Sequence, residues 1–181
     1  MRNIKDLMNL KGRTALITGA TGGIGQAAAI TIAELGGDLL LVDRPRSDYA
    51  LIKQRILEKH NVNIEQMDCD LVNEESMQYL IDKVNGCDKD LNIIINNAAF
   101  VGGSDLKGWI TDFEDQDIDT WRRALEVNLT AIFHLSQGLA KKLKNSKSSS
   151  IINMSSIYGM VGPDLSLYEE TEMGNPAAYS A

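Results

Sequence analysis

Residues 15–25 read ALITGATGGIG, and four glycines of this segment fall within seven positions directly after an apolar run. Ordered glycine costs more conformational entropy than any other residue, so the cluster indicates that something approaches the backbone closely. Backbone N–H groups at the start of a helix bind phosphate, because they are unpaired and the helix dipole favours negative charge there. The cluster therefore predicts a turn that binds a pyrophosphate group; an ordinary tight turn, with a helix packed closely on its strand, is the alternative.

Five short segments, most of them apolar, predict the strands that position this turn. Each is too short for a helix, and all but Asn63–Gln66 are apolar at consecutive positions, which is typical of strands buried on both faces of a parallel sheet. The predicted strands are Thr14–Ile17, Leu39–Val42, Asn63–Gln66, Asn92–Ile95 and Ser150–Asn153.

Helical patterns lie between the strands, and each predicts one face directed at the sheet. The four predicted faces are Ile24, Ala28, Ile32 and Leu35; Tyr49, Ile52 and Ile56; Met77, Leu80, Ile81 and Val84; and, on a long fourth helix, Leu125, Leu129, Ile132, Ser136, Leu139 and Leu143. Gly36 and Gly37 are expected to end the first helix, and Asn73 to cap the third. Alternating strands and helices predict a single α/β domain over residues 1–181, with a doubly wound, mostly parallel sheet of the Rossmann type.

Composition and charge exclude several functional classes. The 181 residues are 44% hydrophobic and carry a net charge of −7, which suits a globular domain and argues against a nucleic-acid-binding surface. No apolar run is long enough to span a membrane. The two cysteines, Cys69 and Cys87, form neither a metal-binding spacing nor a disulfide framework, so we expect a reducing, cytoplasmic setting and no metal site.

Five motifs occur in the order found in the short-chain dehydrogenase/reductase family, which the sequence resembles from about Leu10 to its last residue. They are TGATGGIG at 18–25, NNAA at 96–99, VNL at 127–129, INMSSIYG at 152–159 and PAAYSA at 176–181. The resemblance implies an NAD(P)-dependent oxidoreductase that interconverts a secondary alcohol and a ketone on a small molecule and forms a homo-oligomer when full length. The spacing from Gly19 to Gly23 disfavours the epimerases and dehydratases among the extended relatives.

The glycine-rich turn and the second strand carry the main predicted nucleotide contacts. From the turn we expect contacts by Gly19, Thr21, Gly22, Gly23, Ile24 and Gly25. Asp43 ends the second strand, where a carboxylate accepts hydrogen bonds from ribose hydroxyls and repels a 2′-phosphate. This predicts NAD rather than NADP, with a solvated strand end as the alternative for Asp43. Arg44 leaves the choice of cofactor open, because a guanidinium can bind a phosphate or stack on adenine.

The resemblance alone implies further cofactor contacts. Asp70, with Leu71 alongside, corresponds to the family position beside adenine, although Asp70 also suits the start of a helix. Asn97 and Ala98 resemble residues that follow the fourth strand and contact the cofactor through their backbone. Ala99 stands where the family more usually has glycine, which adds a methyl group near the nicotinamide ribose.

The resemblance also assigns three catalytic roles. Tyr179 would be the general acid/base, and because tyrosine has a pKa of roughly 10, its phenolate needs positive charge nearby. Ser156, three residues before Gly159, would donate a hydrogen bond to the reacting oxygen. Asn128 would hold a water in a proton relay; a satisfied core amide is the alternative. Tyr158 matches no catalytic position of the family and is interpreted as packing or pocket wall.

Two features depart from the family pattern. The family lysine would stand two positions beyond Ala181, so we expect a fragment of a longer enzyme, without its C-terminal strands and helices. A truncated inactive homologue and a non-catalytic dinucleotide-binding module are the alternatives. The 22 residues between Ser156 and Tyr179 exceed those of compact members. Their polar and aromatic side chains suit a sugar or polyol-like substrate, and a solvated acidic lid is the alternative.

Overall fold

One sheet of five parallel strands, in the order β3-β2-β1-β4-β5, organises the computed structural model, which describes residues 3–103 and 105–181. The strands are β1 Thr14–Thr18, β2 Asp38–Asp43, β3 Ile64–Asp68, β4 Ile93–Asn96 and β5 Ser150–Asn153. After β3 the chain crosses the sheet to β4 on the other side of β1, and this reversal opens a crevice at the carboxyl ends of β1 and β4. The predicted α/β class and doubly wound parallel sheet are confirmed.

Helices cover both faces of the sheet. They are α1 Ile4–Met8, α2 Gly23–Glu34, α3 Ala50–Leu57, α4 Glu74–Gly86, α5 Ile118–Leu125, α6 Ala131–Gly138, α7 Ala140–Asn145 and α8 Ala177–Ser180. Side chains alternate between the faces along each strand. Thus Ile17 packs in the apolar cluster under α2 and α3, while its neighbour Leu16 packs in the cluster under α4 and α6. Within the described ranges, no helix is both long and apolar enough to traverse a lipid bilayer.

The predicted strands all exist, with bounds that differ by at most two residues, but burial on both faces is wrong for two of them. β1 is buried along its whole length. β3 and β5 are the two edges of the sheet, and Glu65, Gln66 and all four residues of β5 are exposed. An apolar run therefore predicted a strand correctly without revealing its place in the strand order.

Two of the predicted helix faces are confirmed. Met77, Leu80, Ile81 and Val84 of α4 are buried, as are Tyr49, Ile52 and Ile56 around α3. Asn73 caps α4 by accepting the Ser76 N–H at 2.8 Å. The predicted end of α2 is also confirmed, because Gly36 adopts a φ of +85° and the Gly37 N–H returns to the Ile32 carbonyl.

The predicted face of α2 is wrong at its first turn. The buried residues of this helix are Gly25, Ala29, Ile32 and Ala33, whereas Ile24 is 62% exposed. Glycine and alanine have little or no side chain, so this face lets α2 approach the sheet more closely than an isoleucine-bearing face would.

The prediction of one long fourth helix is also wrong, because three helices and a π-helical segment occupy its span. α5 ends at Leu125, residues 126–130 form a π-helical turn, and the chain breaks again between α6 and α7. A π turn holds an extra residue and rotates the following face. As a result Leu129 is 54% exposed, while Ala131, Leu135, Leu139 and Leu143 are buried.

Candidate active site

A cleft of about 620 Å³ opens at the carboxyl ends of the central strands. It contains every predicted cofactor-binding residue except Gly25: Gly19, Thr21, Gly22, Gly23, Ile24, Asp43, Arg44, Asp70, Leu71, Asn97 and Ala98 line it. Ala99, the departure from the family pattern, also lines the cleft and is exposed. The fold therefore gathers residues that are up to 108 positions apart, counted from Gly19 to Val127, into one concave surface.

Two glycines of the turn are required by contacts that leave no room for a side chain. Gly19 has a φ of +64°, and a Cβ there would lie 2.8 Å from the Ala98 Cα. Gly25 is buried behind the cleft, where a Cβ would overlap the Gly19 carbonyl oxygen and lie 2.9 Å from the Ala20 Cα. Gly19 thus shapes the turn, and Gly25 allows α2 to start directly against it. The expected contact between Gly25 and a cofactor stays a prediction.

Thr18 and Asn97 fasten the glycine turn to the end of β4. The Thr18 hydroxyl accepts the N–H groups of Asn97 and Ala98 at 3.0 and 3.1 Å. The Asn97 side-chain amide donates to the carbonyls of Thr18 and Gly19 at 3.0 and 3.1 Å. Since both backbone N–H groups are donated to Thr18, a cofactor contact through the backbone here has to use the carbonyl oxygens. Sequence reasoning missed this role of Thr18, because its partners follow a different strand.

Asp43 fastens the same turn to the end of β2. Its Oδ2 accepts the backbone N–H and the hydroxyl of Thr21, both at 2.8 Å. Its Oδ1 accepts the Arg44 N–H at 2.8 Å and the Ser47 hydroxyl at 3.3 Å. The carboxylate is therefore oriented by four donors, which is not the solvated strand end considered as the alternative.

Asp70 and Arg44 are less constrained. The Asp70 carboxylate accepts the Val72 N–H at 3.2 Å in a local turn, and the Asp70 N–H donates to the Ser76 hydroxyl. Asp70 thus lines the cleft three residues before the Asn73 cap of α4, so it does not itself begin the helix, and its predicted place beside adenine stays a prediction. The Arg44 side chain is exposed at the rim of the cleft.

Asn128 lies in the π-helical turn and holds the loop after β4. Its Oδ1 accepts the Phe100 N–H at 2.7 Å and its Nδ2 donates to the Phe100 carbonyl at 3.2 Å. Both polar groups of the Asn128 side chain are thus hydrogen-bonded, which fits the alternative interpretation as a satisfied core amide. The role of Asn128 in a proton relay stays a prediction. π turns are frequent at functional sites, but nothing in the local sequence marked this one.

Phe100, which Asn128 holds, lines the cleft and packs against Trp109, and neither aromatic residue was anticipated from the sequence. The rings of Phe100 and Trp109 meet edge to face with centroids 5.1 Å apart. The Arg123 guanidinium carbon lies 5.2 Å from the centroid of the Phe100 ring. Arg123 and Val127 both line the cleft, one helical turn apart, and this spacing is the signal that would have found them.

The predicted catalytic residues of the C-terminal segment lie on neighbouring elements. Ser156 precedes a 3₁₀ turn, Ile157–Gly159, and its Oγ accepts the Tyr158 N–H at 3.3 Å. This bond uses a lone pair, so the hydroxyl proton of Ser156 remains available to a ligand. α8, which carries the half-buried Tyr179, packs against this turn and against α5.

A second concavity, of about 790 Å³, lies between the loop after β4 and the loop after β5. Its lining includes the aromatic side chains of Trp109, Phe113, Trp121 and Tyr168. It also includes the amides of Gln116 and Asn175. Gln116 also joins the two loops by accepting the Ala177 N–H at 3.1 Å. In the described residues, no group of three or more His, Cys, Asp or Glu side chains is arranged to hold a metal ion.

The model of a known family, described as short chain dehydrogenase, matches residues 13–170, which include both the glycine turn and the Ser156 segment. The chain belongs to the short-chain dehydrogenase/reductase family. Among curated relatives, a 3-oxoacyl-[acyl-carrier-protein] reductase from Rickettsia typhi is 30% identical over 156 residues, which are 86% of this chain and 58% of that protein.

Solved structures of the same family share the fold. An NADPH-dependent 3-quinuclidinone reductase from Rhodotorula rubra has a TM-score of 0.81 and 28% identity, over 99% of this chain and 62% of that one. An NAD⁺-bound xylitol dehydrogenase has a TM-score of 0.77 and 27% identity, over 94% and 59%. This chain therefore spans about three fifths of the length of these relatives.

Proposed function

We propose that the protein containing this chain is an NAD-dependent oxidoreductase that interconverts a secondary alcohol and a ketone. The observation that carries the proposal is the cleft, in which the glycine turn, Asp43 and the ends of β3 and β4 meet on one surface. Its backbone is bare of side chains at Gly19, Gly22 and Gly23, as a diphosphate would require. A bound nicotinamide ring would supply the acceptor or donor of hydride.

The surroundings of Asp43 support NAD rather than NADP. Of the four groups that donate to its carboxylate, the Thr21 and Ser47 hydroxyls can rotate away, whereas the backbone N–H groups cannot. Two acceptor positions can then receive the two hydroxyls of an adenosine ribose. A 2′-phosphate in the same place would meet the negative charge of the carboxylate. Arg44 at the rim favours phosphate, but it is not held by a comparable set of bonds.

The chemical roles rest on the family pattern together with the local geometry. Ser156 retains a free hydroxyl proton and can donate it to the oxygen of the reacting carbon. Tyr179, on the adjacent α8, can take up or release the proton that alcohol–ketone interconversion requires. A substrate with several hydroxyls, a sugar or a polyol, suits the aromatic and amide surface between the loops. A small-molecule substrate and a homo-oligomeric assembly, as the family pattern implies, belong to the same proposal.

The proposal is tested on the protein made from the full reading frame, by following NADH absorbance with xylitol, sorbitol and 2-butanol. Tyr179→Phe is expected to lower kcat by a factor of about 10² to 10⁴ while NADH affinity stays within about twofold, because only the proton transfer is lost. Tyr79→Phe, an exposed tyrosine on α4, is the matched control and should retain full activity. Turnover that persists in Tyr179→Phe would refute the assigned role.

Cofactor choice is tested by titrating wild type and Asp43→Ser with NADH and NADPH. Removing the carboxylate is expected to weaken NADH binding about tenfold and to strengthen NADPH binding, so that the ratio of the two affinities shifts toward NADPH. Asp48→Ser is the control, because Asp48 is exposed and a serine there can still accept the Ala50 N–H. An unchanged ratio in Asp43→Ser would contradict the preference for NAD.

A non-catalytic dinucleotide-binding module is the second candidate. It is favoured by the fact that the cofactor cleft is supported by bonds within the chain, whereas the assignment of Tyr179 rests on the family pattern. Saturable NADH binding without turnover of any alcohol or ketone tested would select this candidate.

A further inference from the structure

The hydroxyls of two tyrosines, one of them two residues after Ser156, form a hydrogen bond with each other. Tyr158 and Tyr168 are both half-buried, and their oxygen atoms lie 2.8 Å apart. Tyr158 belongs to the turn that Ser156 begins, and Tyr168 to the loop that extends the chain between Ser156 and Tyr179. The pair therefore joins the Ser156 turn to the inserted loop.

Two capped 3₁₀ turns aim these side chains at each other. The first, Ile157–Gly159, is capped by the Ser156 hydroxyl. The second, Leu165–Tyr168, is capped by Asp164, whose carboxylate accepts the Ser166 N–H at 3.1 Å and the Ser166 hydroxyl at 2.7 Å. Capping fixes the start of each turn, so the approach of the two phenols is built into the local backbone.

Tyr179 lies within electrostatic range of the same pair. The pKa of Tyr158 is raised, chiefly by its hydrogen bond to Tyr168 and then by burial. The negative charges of Tyr168, Asp164 and Tyr179 in their ionised forms raise the pKa further. α8 also packs against the turn that carries Tyr158. The pair thus stands beside the groups expected to handle the reacting oxygen, and the ring of Tyr168 continues into the concavity between the loops.

The first half of the inserted loop, residues 157–168, buries little of its side-chain surface. Its large apolar side chains face outward: Ile157, Met160, Val161, Leu165 and Leu167 are 53 to 87% exposed. Among the described residues, the phenol contact is the one side-chain hydrogen bond between the Ser156 turn and the Leu165–Tyr168 turn. A single neutral hydrogen bond contributes little net stability, so a ligand hydroxyl can insert into it or add to it.

We propose that Tyr158 and Tyr168 form a positioning pair for a hydroxyl group next to the reacting carbon, which makes the substrate an α-hydroxy ketone or the corresponding vicinal diol. This rests on the proposed function. Within the pair one hydroxyl proton is shared, which leaves one O–H donor and free lone pairs at fixed positions. A neighbouring hydroxyl of the substrate can both donate to and accept from this arrangement, and a plain ketone cannot.

The kinetic test compares a vicinal polyol, xylitol, with 2-butanol, which has no second hydroxyl. Tyr158→Phe and Tyr168→Phe are each expected to lower kcat/KM for xylitol about tenfold, mainly through KM, and to change the value for 2-butanol less than twofold. NADH affinity should not change, and Tyr79→Phe should behave as wild type toward both alcohols. Equal losses on the two alcohols would overturn a positioning role, since a general loosening of the site does not discriminate between them.

A second readout does not depend on turnover. Glu-C protease cleaves after Glu169 and Glu170, directly beyond Tyr168, and mass spectrometry identifies those fragments. Both phenylalanine variants should be cleaved there several times faster than wild type, and a polyol and ketose panel (xylitol, sorbitol and sorbose) should slow the cleavage of wild type alone. Cleavage unaffected by the substitutions, or by the panel, overturns the proposal. If NADH fails to bind, the proposed function fails, and the protease result still decides the role of the pair.

Discussion

At the carboxyl ends of β1, β2 and β4, backbone groups and short side chains hold one another, whereas the loops before Tyr179 are joined by aromatic contacts and a few single hydrogen bonds. Two or more hydrogen bonds formed by each of Thr18, Asp43 and Asn97 join the end of β1 and its glycine turn to the ends of β2 and β4. In the loops, Phe113 is 78% exposed and Met160 is 87% exposed. The proposed cofactor side of the molecule is thus expected to be rigid without a ligand, and the proposed substrate side to adapt.

The largest effect is expected from closing the space behind the glycine turn. Gly25→Ala places a methyl group against the Gly19 carbonyl and the Ala20 backbone, and neither can move without displacing β1 or α2. We expect the free energy of unfolding to fall by about 3 kcal/mol and NADH affinity to drop more than tenfold. Urea unfolding and NADH titration measure the two effects.

Gly86→Ala is the matched control for this substitution. Gly86 ends α4 on the surface, and a Cβ there meets no atom within 4 Å. Its unfolding free energy should stay within about 1 kcal/mol of wild type. If Gly25→Ala behaved like Gly86→Ala, the rigid packing described for the cofactor side would be wrong.

A smaller effect is expected on the loop side from Asn128→Ala. The substitution removes both hydrogen bonds that hold the Phe100 backbone and leaves those groups without their partner. We expect a loss of about 2 kcal/mol in unfolding free energy. Acrylamide should also quench tryptophan fluorescence more strongly, because the loop that carries the buried Trp109 is released.

Asn85→Ala separates this loss from that of an ordinary surface amide. Asn85 is exposed and donates one bond, to the Gly138 carbonyl at 3.1 Å. Its removal should cost under about 0.5 kcal/mol and leave quenching unchanged. Equal costs for the two asparagines would show that Asn128 does not organise the loop.

The smallest effect is expected at the opposite end of the sheet, where Asp38 begins β2. The carboxylate of Asp38 accepts the Asn63 N–H at 2.8 Å, the Asn63 side-chain amide and Lys89. Burial acts to raise the pKa of Asp38, but these partners outweigh it and hold the pKa below its ordinary value of 3.8. A lowered folded-state pKa stabilises the fold above about pH 4 and loses this effect as the pH falls through the folded value.

Asp38→Ala should therefore cost about 1 kcal/mol at pH 7 and progressively less below about pH 4, with NADH affinity unchanged. Thermal unfolding across the pH range measures the trend, and Asp82→Ala, an exposed carboxylate on α4, gives the baseline. A cost that did not shrink in acid would mean that Asp38 acts through packing rather than through its charge.

Local signals were enough for much of the fold and for the part of the cleft formed by the glycine turn and Asp43. The other predicted cleft residues, Asp70, Leu71, Asn97 and Ala98, came only from the resemblance to the family. Consecutive apolar residues predicted four of the five strands, although β3 has no such run. Residues such as Asn73 and Gly36 marked helix ends, because these features act within a few residues of the chain. The glycine turn and Asp43 were predicted for a related reason. A pyrophosphate needs a bare backbone directly after a strand, and the hydroxyls of a ribose bind a carboxylate at the end of the next strand.

Only the tertiary structure decided which strands lie at the edges, where the fourth helix is broken and what Thr18, Asn97 and Asn128 hold. The partners of these residues come from strands and loops up to 80 positions away, and no local pattern encodes such a pairing. The meeting of Tyr158 and Tyr168 differs, because these residues are ten positions apart and two local 3₁₀ turns bring them together. The sequence by itself determined the elements and the chemistry at their ends, and the packing of distant segments decided which of those groups face one another.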